Sequence, residues 1–280
     1  MGRMRVRALT WNLFHGRDSP PDPSLFTWRS RLLRITERNA SHVQVNRDLF
    51  DEFASVLGGA EWDIALLQEC PPRWAEPFAA ACAAEAQGAL TARNSFGAIR
   101  SLLARINPDL IASNEGGSNL TLVRGGFEIV ERRELELYPG PEPERRVMAF
   151  TRVRRGGGDC LCVANTHLTA RRSRRDLAER ELIDAARAAT EWAGTDPLIL
   201  GGDFNLRPTE SEVYDVLAER YWPTGITSPR SLDHLLARGL HPEGPRRAWA
   251  PEEREVQTEA GALRLSDHAP VEATFRLEVR

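Results

Sequence analysis

Lysine is absent from the sequence of 280 residues, and all 37 basic side chains other than histidine are arginine. The compositional bias of a GC-rich genome explains this absence. Selection of arginine for bidentate phosphate contacts does not explain why surface lysine is missing as well. With 40 acidic residues the net charge is −3. A slightly acidic chain is not a general nucleic-acid-binding protein, because such binding rests on basic surfaces.

Cysteine is scarce, and long apolar runs are missing. The four cysteines are Cys70, Cys82, Cys160 and Cys162. Cys160 and Cys162 would share one strand face, where they are poorly placed to bridge each other. No Cys-x-x-Cys spacing indicates a structural zinc site, so we expect reduced thiols in a cytoplasmic protein. No secretory signal and no stable membrane anchor are predicted.

Apolar runs typical of buried strands alternate with stretches of helical periodicity, which predicts an α/β (α+β) fold. The predicted helices are Asp48–Leu57, Pro72–Ala86, Asp176–Trp192 and Glu210–Ala218. The predicted strands are Val6–Leu9, Ile64–Leu67, Asn119–Val123, Phe127–Glu131, Val147–Val153, Leu161–Val163, Leu198–Leu200 and Ala273–Leu277. Three glycines at 156–158 predict a hairpin turn between two of these strands.

Polar residues suited to phosphate chemistry follow several of the predicted strands. The segments are Thr10-Trp11-Asn12, Leu67-Gln68-Glu69, Asn165-Thr166-His167-Leu168, Gly201-Gly202-Asp203-Phe204-Asn205, Ser231-Leu232-Asp233-His234 and Ser266-Asp267-His268. Side chains at strand ends can converge on one rim of a sheet. Carboxylate and carbonyl oxygens suit Mg²⁺, Mn²⁺ or Ca²⁺, so the pattern indicates hydrolysis of a phosphate ester on a metal.

The order of these segments, from Arg5 to about Phe275, resembles the endonuclease/exonuclease/phosphatase superfamily. This superfamily includes deoxyribonuclease, apurinic-site endonuclease, neutral sphingomyelinase and inositol-polyphosphate 5-phosphatase. The resemblance implies a four-layer sandwich of two packed mixed β-sheets flanked by helices. We expect one domain over residues 1–280, and a monomer.

One stretch departs from the pattern of the superfamily. Asn12 and Glu69 lie 57 positions apart, which is longer than in typical relatives, and the surplus lies around residues 16–46. This insertion is expected to form a loop and a short helix at the edge of the site. A long ordered loop is often functional, but it can equally be decoration of the surface.

The resemblance assigns the metal ligands. The glutamate of a Leu-Gln-Glu strand end holds Mg²⁺ in the superfamily, which makes Glu69 the principal ligand. Asn12 would lie beside it and orient the metal or the phosphate, unless it only forms the turn after Trp11. Asp267 resembles a ligand to the metal or to its water. Dependence on Mg²⁺ is expected, with Mn²⁺ able to substitute, and the number of metal ions stays open.

The resemblance also implies roles for the Gly-Asp-Phe-Asn segment. Asp203 would act on the attacking water or a second metal, and Asn205 on a phosphate oxygen. Strand alternation would point both side chains to one side and Phe204 to the other, whereas the alternative is an Asx turn after the glycine pair. Gly201 and Gly202 favour the functional interpretation, because small residues let a ligand approach the backbone closely.

The histidines divide into site, core and surface residues. His268 is the expected general base or phosphate contact, and Asp233 resembles the carboxylate that orients it. His167 resembles the histidine that contacts the scissile phosphate or aids departure of the leaving group, which favours the deoxyribonuclease and sphingomyelinase branch. His234 is expected in the core. The remaining histidines, His15, His42 and His241, are expected at the surface.

Arginines near the site are candidates for substrate binding. Arg171 and Arg172 begin a run of basic residues that forms either a collar capturing a phosphorylated substrate or a solvated first helical turn. A cation is poorly matched to a helix N-terminus, which mildly favours the collar. Arg145 or Arg146, before the predicted strand at Val147, could reach the phosphate as in some relatives.

These residues predict a Mg²⁺-dependent hydrolase of phosphate esters, either a phosphodiesterase or a phosphatase. A phosphorylated small molecule, a lipid headgroup and a nucleic acid all remain open as substrates. One alternative is a DNA endonuclease or exonuclease of the same superfamily, which the acidic balance opposes. The other is a non-catalytic protein that binds a phosphate ligand, which would not need the whole residue set.

Overall fold

Two large sheets form the centre of the molecule in the computed structural model, which describes residues 3–92, 96–138, 145–170, 174–221 and 225–278. The first contains Arg3–Asn12 (β1), Ile64–Cys70 (β4), Glu85–Leu90 (β5), Ser118–Val123 (β6), His241–Pro242 (β12), Arg247–Ala248 (β13) and Val271–Glu278 (β16). The second contains Phe127–Tyr138 (β7), Arg146–Arg155 (β8), Cys160–His167 (β9), Leu198–Asp203 (β10) and Asp233–Arg238 (β11). Two hairpins are Glu37–Arg38 (β2) with Val43–Gln44 (β3), and Glu255–Thr258 (β14) with Gly261–Arg264 (β15). The helices are Trp28–Leu33 (α1), Phe50–Gly59 (α2), Ala75–Ala81 (α3), Gly97–Ile106 (α4), Pro108–Glu115 (α5), Arg175–Ala193 (α6) and Val213–Arg220 (α7).

Both sheets are mixed. The first has the order β12-β16-β1-β4-β6-β5, with β13 also paired to β16, and the second has the order β11-β10-β9-β8-β7. β1 and β4 are parallel in the first sheet, as are β9 and β10 in the second, whereas their other neighbours are antiparallel.

The sheets pack face to face, and helices cover their outer faces. Alternation along β1 sends Val6 into the apolar layer between the sheets, where it shares a cluster with Val163 of β9. Leu9 faces the other way and packs in a cluster with Phe53 of α2. α6 covers the second sheet with an apolar stripe that includes Leu182. The predicted four-layer sandwich is confirmed.

The parallel pairs bring the predicted polar segments to one edge of the sandwich. β1 ends at Asn12, and β9 and β10 end at His167 and Asp203. The antiparallel β11 begins opposite Asp203, at Asp233, and the loop before β16 carries Asp267. Because parallel strands end at the same edge of a sheet, one cleft receives polar residues from both sheets.

Most predicted elements are confirmed, but two predicted helices have wrong boundaries. The helix predicted over Pro72–Ala86 is present only as α3, and the chain enters β5 at Glu85. Alanine favours a helix locally, but Ala86 pairs with β6, so sheet pairing overrides local propensity. The helix predicted over Glu210–Ala218 begins later, at Val213, after a short 3₁₀ turn. The sequence patterns did not predict α4 and α5.

Residues 16–46 contain α1 and the β2–β3 hairpin, and hydrogen bonds tie this segment to the rest of the chain. Asp18 Oδ2 accepts a hydrogen bond from the Val45 N–H at 3.0 Å, and Ser19 N donates to Arg264 O at 2.9 Å. Burial raises the pKa of Asp18 to about 7. The predicted short helix is present, whereas the status of the segment as an insertion stays a prediction.

The state of the cysteines agrees with the expectation of reduced thiols. All four cysteines are free thiols, including Cys160 and Cys162 on β9. Within the described ranges, no helix is both long and apolar enough to cross a membrane.

Candidate active site

Asp203 lies at the centre of the cleft, at the end of β10. Its buried carboxylate oxygen Oδ2 accepts a hydrogen bond from Asn12 Nδ2 at 3.0 Å. The same oxygen lies 3.6 Å from His167 Nε2 and 3.8 Å from His268 Nε2. Burial raises the pKa of Asp203 to about 7, against the opposing charge of His268. The carboxylate of one sheet therefore meets polar side chains from both sheets.

The glycine pair before Asp203 serves chain packing. A Cβ on Gly202 would lie 1.8 Å from the carbonyl oxygen of Thr166, and the φ of Gly202 is 143°. A Cβ on Gly201 would lie 2.7 Å from side chains of Leu66 and Leu235. The interpretation that these glycines let a ligand approach is therefore wrong, because strands of the protein itself occupy that space.

Asp233 and His268 form a hydrogen-bonded dyad. His268 Nδ1 lies 2.8 Å from Asp233 Oδ2. Burial disfavours the imidazolium, but Asp233 and Asp203 outweigh it and raise the pKa of His268 to about 10. Trp11 Nε1 donates to the His268 carbonyl at 3.0 Å and fixes the backbone. The predicted orientation of this histidine by Asp233 is present in the structure.

Glu69 lies at the end of β4, where a bulge interrupts the pairing with β6 between Leu67 and Cys70. Its φ is 48°, a left-handed conformation that a glutamate rarely adopts. Burial alone would raise the pKa of Glu69, but His15, His167 and the Asn12 hydrogen bond hold it below its usual value. The bulge thus turns an ionised carboxylate into the cleft.

His15 is a site residue that the sequence analysis missed. Its Nε2 lies 3.2 Å from Glu69 Oε2, so the prediction of a surface histidine is wrong. His15 sits in a 3₁₀ turn directly after β1, with φ 54°, before Gly16 with φ 75°. A Cβ on Gly16 would lie 2.3 Å from Trp74, so only glycine fits there. The sequence feature that could have indicated this role is a histidine next to a glycine, three residues after Asn12.

His167 is buried at the end of β9 and faces the carboxylates. Burial, together with the charge of Arg146, lowers the pKa of His167 to about 3, which keeps the imidazole neutral. Its Nε2 has no hydrogen-bond partner among the described residues, although Glu69 Oε1 lies 3.8 Å away. The guanidinium of Arg145 pairs with Glu136 at 2.7 Å. Arg146, which is buried, is therefore the better candidate of the two for the site.

Asn12 and Asn205 organise the backbone around Asp203. Asn12 Oδ1 accepts from Phe14 N at 2.9 Å, so this amide holds the turn after β1 as well as Asp203. Asn205 has φ 52°, and its N–H donates to Asp203 Oδ1 at 3.0 Å. Asn205 Nδ2 donates to Leu168 O at 3.0 Å. The Asx turn that we considered as the alternative is therefore present, and Asn205 still borders the cleft.

Asp267 lies at the open side of the cleft. Burial raises the pKa of Asp267, and the charge of Glu69 adds to this effect, whereas the charges of His268 and Arg17 oppose it. Arg17 stacks on Phe14, with its Cζ 4.0 Å from the ring centroid, and brings a positive charge to this side. The charges of Glu69 and Asp267 thus interact, and their role as joint metal ligands stays a prediction.

The donor set fits a hard divalent cation. Asp203, Asp233 and His268 offer ligand atoms within 4.8 Å of one another. His268 Nδ1 is already engaged by Asp233, so the carboxylate oxygens are the groups left to hold an ion. Within the described chain, Asp233 Oδ1 has no hydrogen-bond partner although it is buried. An oxygen-rich cluster with an unpartnered oxygen is the environment that Mg²⁺ or Mn²⁺ prefers.

A small cavity adjoins the site at Asn205. It has a volume of about 140 Å³ and is lined by Thr169, Arg175 and Arg207 among others. The predicted collar residues Arg171 and Arg172 lie outside the described residues. A larger cavity of about 640 Å³ lies beside Arg5, Arg7 and Ala8 of β1, and none of the site residues described above lines it. Its arginines pair with glutamates.

The other histidines support the structure elsewhere. His234 is buried, and its Nδ1 accepts from Thr227 N at 3.0 Å. Burial lowers the pKa of His234 to about 4, so it is a neutral core residue, as expected. His42 Nε2 lies 3.1 Å from Glu255 Oε1, which corrects the prediction that it lies at the surface. His241 is exposed, as predicted.

Comparison with known families agrees with this geometry. Residues 9–268 match the endonuclease/exonuclease/phosphatase family. The chain belongs to this family. Family membership and the assembled carboxylate–histidine site make the protein a hydrolase that acts on phosphate-ester bonds. No curated protein matches the chain significantly by sequence.

Solved structures of the family share the fold at low sequence identity. A mannosyl-6-phosphatase from Bacteroides thetaiotaomicron is 15% identical with a TM-score of 0.63, covering 98% of this chain and 99% of that one. The human nocturnin catalytic domain with bound sulfate is 17% identical with a TM-score of 0.64, covering 99% and 94%. The 2′,3′-cyclic phosphatase ANGEL2 is 14% identical with a TM-score of 0.64, covering 99% and 96%.

Proposed function

We propose that the protein is a Mg²⁺-dependent phosphodiesterase or phosphatase of the cytoplasm that acts on a phosphorylated small molecule or a lipid headgroup. The observation that supports it best is the convergence of Asn12, His167 and His268 on Asp203 Oδ2, at 3.0, 3.6 and 3.8 Å. A binding protein would not need to bury a carboxylate among these groups. The four free thiols agree with a reducing compartment.

Glu69 and Asp267 would hold the cation. When bound, Mg²⁺ would neutralise charge on the phosphate oxygens. Asn12 is a positioning residue in this scheme, because its amide bonds both Asp203 and the backbone of Phe14. Mn²⁺ should substitute, since it accepts the same oxygen ligands.

Asp203 and the histidines have different roles in the proposed reaction: Asp203 takes a proton, and the histidines contact the phosphate. Water attacks phosphorus while Asp203 accepts its proton, the bond from phosphorus to the leaving oxygen breaks, and the leaving oxygen takes up a proton from solvent. His268, held by Asp233, donates a hydrogen bond to a phosphate oxygen as negative charge develops. His167 and Asn205 border the same space and complete the set of contacts to the phosphate.

The surroundings of the site favour a compact substrate. The cavity of about 140 Å³ beside Asn205 has room for only a small group, and its two arginines, Arg175 and Arg207, both pair with Glu210. The net charge of −3 opposes extended binding to nucleic acid. Among the structural relatives, one is named a mannosyl-6-phosphatase and another a 2′,3′-cyclic phosphatase.

Hydrolysis of bis-p-nitrophenyl phosphate, p-nitrophenyl phosphate, sphingomyelin, inositol phosphates and plasmid DNA, each with and without EDTA, tests the proposal. We expect activity on small esters that is lost with EDTA and restored by Mg²⁺ or Mn²⁺. Glu69→Gln should abolish the metal-restored rate, whereas the exposed control Glu191→Gln should keep it. Full activity after exhaustive chelation would rule out the metal mechanism, and cleavage of DNA alone would favour the nuclease alternative.

A further inference from the structure

Two helices near the cleft, α1 and α4, expose large apolar side chains. Trp28 and Leu32 on α1 and Ile99, Leu102 and Ile106 on α4 each expose more than half of their surface, at 67%, 59%, 59%, 59% and 51%. Soluble proteins seldom leave such large residues clustered in water without a function. We call this surface of α1 and α4, with the exposed part of α5, the apolar face.

Hydrogen bonds hold these helices together as one unit. Asn107 joins α4 to α5, and its Oδ1 accepts from the Leu110 N–H at 3.3 Å. Its Nδ2 donates to the Arg31 carbonyl of α1 at 3.0 Å. Asn46 Nδ2 donates to the Arg31 and Ser30 carbonyls at 2.8 and 3.1 Å. The apolar residues of α1 and α4 therefore stand on helices that are fixed relative to one another.

The exposed charged side chains of this unit are all positive. Arg29 and Arg31 on α1 and Arg105 on α4 are exposed, and neither helix contains a carboxylate. The two carboxylates of α5, Asp109 and Glu115, are buried against other parts of the chain. In a chain of net charge −3, this concentrates positive charge around the apolar face. Such a surface is complementary to an anionic one.

The unit adjoins the cleft. The α4–α5 segment leaves the first sheet after β5 and returns at β6, where Thr91 N donates to Gly117 O at 3.0 Å. A Cβ on Gly117 would lie 3.4 Å from the Glu69 Cα and 3.6 Å from His15 Cε1. The backbone that carries the apolar face thus runs directly past two residues of the site.

We propose that the apolar face docks on an anionic lipid bilayer. Tryptophan, leucine and isoleucine interleaved with arginine are typical of helices that lie in a membrane interface. A two-fold dimer through the same face would place like charges opposite each other, since both copies present the same arginines. The proposal concerns binding and does not rest on the proposed catalytic function.

Vesicle flotation tests the docking. The full chain is mixed in EDTA with extruded vesicles of phosphatidylcholine, alone or with 30% phosphatidylglycerol, in 50 or 500 mM NaCl. The tenfold increase in salt shortens the Debye length about threefold. We expect binding to the anionic vesicles at low salt, and at least tenfold weaker binding to the neutral vesicles and at high salt. The chelator separates this result from any catalytic metal.

Matched variants identify the surface. Trp28→Ser with Leu102→Ser, and separately Arg29→Gln with Arg105→Gln, should each weaken binding to the anionic vesicles at least tenfold. The control Val130→Ser replaces a residue that is 41% exposed on β7 and should bind like the parent protein. All variants alter exposed side chains, and their thermal melts confirm folding.

Three outcomes would overturn the proposal. The first is absence of binding to anionic vesicles by the parent protein. The second is equal binding by the control and by both pairs of variants. The third is a concentration-dependent dimer in sedimentation velocity that both pairs abolish, without vesicle binding, which would assign the face to a second copy of the chain. Hydrolysis of p-nitrophenyl esters does not enter any of these measurements.

Discussion

The Asp233 carboxylate lies 2.8 Å from His268 Nδ1, so its effect on turnover should pass through that imidazole. Asp233→Asn keeps the shape of the side chain but cannot stabilise an imidazolium, and we expect turnover to fall about 100-fold or more. Metal binding and thermal stability should change little. Steady-state rates and Mg²⁺ titrations check this, with Asp215→Asn on the exposed face of α7 as the control.

His268→Ala should lower turnover at least as much as Asp233→Asn. If the two residues act as one unit, the double variant should be only slightly slower than His268→Ala alone. Multiplying losses would show that the residues act independently. Asp233 would then be reassigned to the structure or to the metal.

His15 should affect metal binding more than the chemical step. Its Nε2 lies 3.2 Å from Glu69 Oε2, so it orients the carboxylate that we propose as the main ligand. We expect His15→Ala to weaken Mg²⁺ binding about tenfold, with little loss of turnover at saturating Mg²⁺. His42→Ala is a matched control, because His42 is also half-buried and lies 3.1 Å from Glu255. An equal effect in both variants, or a loss of turnover at saturating metal, would contradict this role.

At the scale of single elements, Gly202 decides whether β9 and β10 can pair. A Cβ there would lie 1.8 Å from the Thr166 carbonyl, so Gly202→Ala should lower the free energy of unfolding by about 3 kcal/mol or more. Gly157→Ala measures the cost of a positive φ without a collision, since Gly157 has φ 75° and open space around it. That control should cost about 1–2 kcal/mol. Urea denaturation of both variants gives the comparison, and equal losses would refute the collision.

The sequence predicted the elements whose cause is local and missed those set by tertiary contacts. Apolar strands followed by polar motifs were enough to place Asn12 and Asp203 at one edge. The alanines around residue 86 favour a helix, and only pairing with β6 makes them a strand. The position of His15 in the site depends on a left-handed turn after β1, and hydrophobic periodicity does not predict such a turn. The sequence could not distinguish Arg146 from Arg145 as a site residue. The structure does, because Arg146 is buried and Arg145 pairs with Glu136.

At the scale of the whole molecule, polar contacts between the sheets hold the two halves of the site together. Gln68 Nε2 of the first sheet donates to Asn165 Oδ1 of the second at 2.8 Å, next to the Asn12–Asp203 bond of 3.0 Å. The apolar layer between the sheets thus becomes polar toward the cleft. Because buried polar groups are costly to leave unpaired, this network fixes the distance between carboxylates that the two sheets supply.

Those carboxylates should make Mg²⁺ a stabiliser of the fold. Glu69, Asp203, Asp233 and Asp267 face one cleft, and a cation that binds only the folded state adds about 1.4 kcal/mol at ten times its Kd. For a chain of this size the melting temperature should rise by about 3 °C, as differential scanning calorimetry would show. Glu69→Gln should lose most of the rise, whereas Glu191→Gln on α6 should keep it. An equal rise in both variants would place the bound cation outside this cleft, because removing a ligand's charge must weaken its own site.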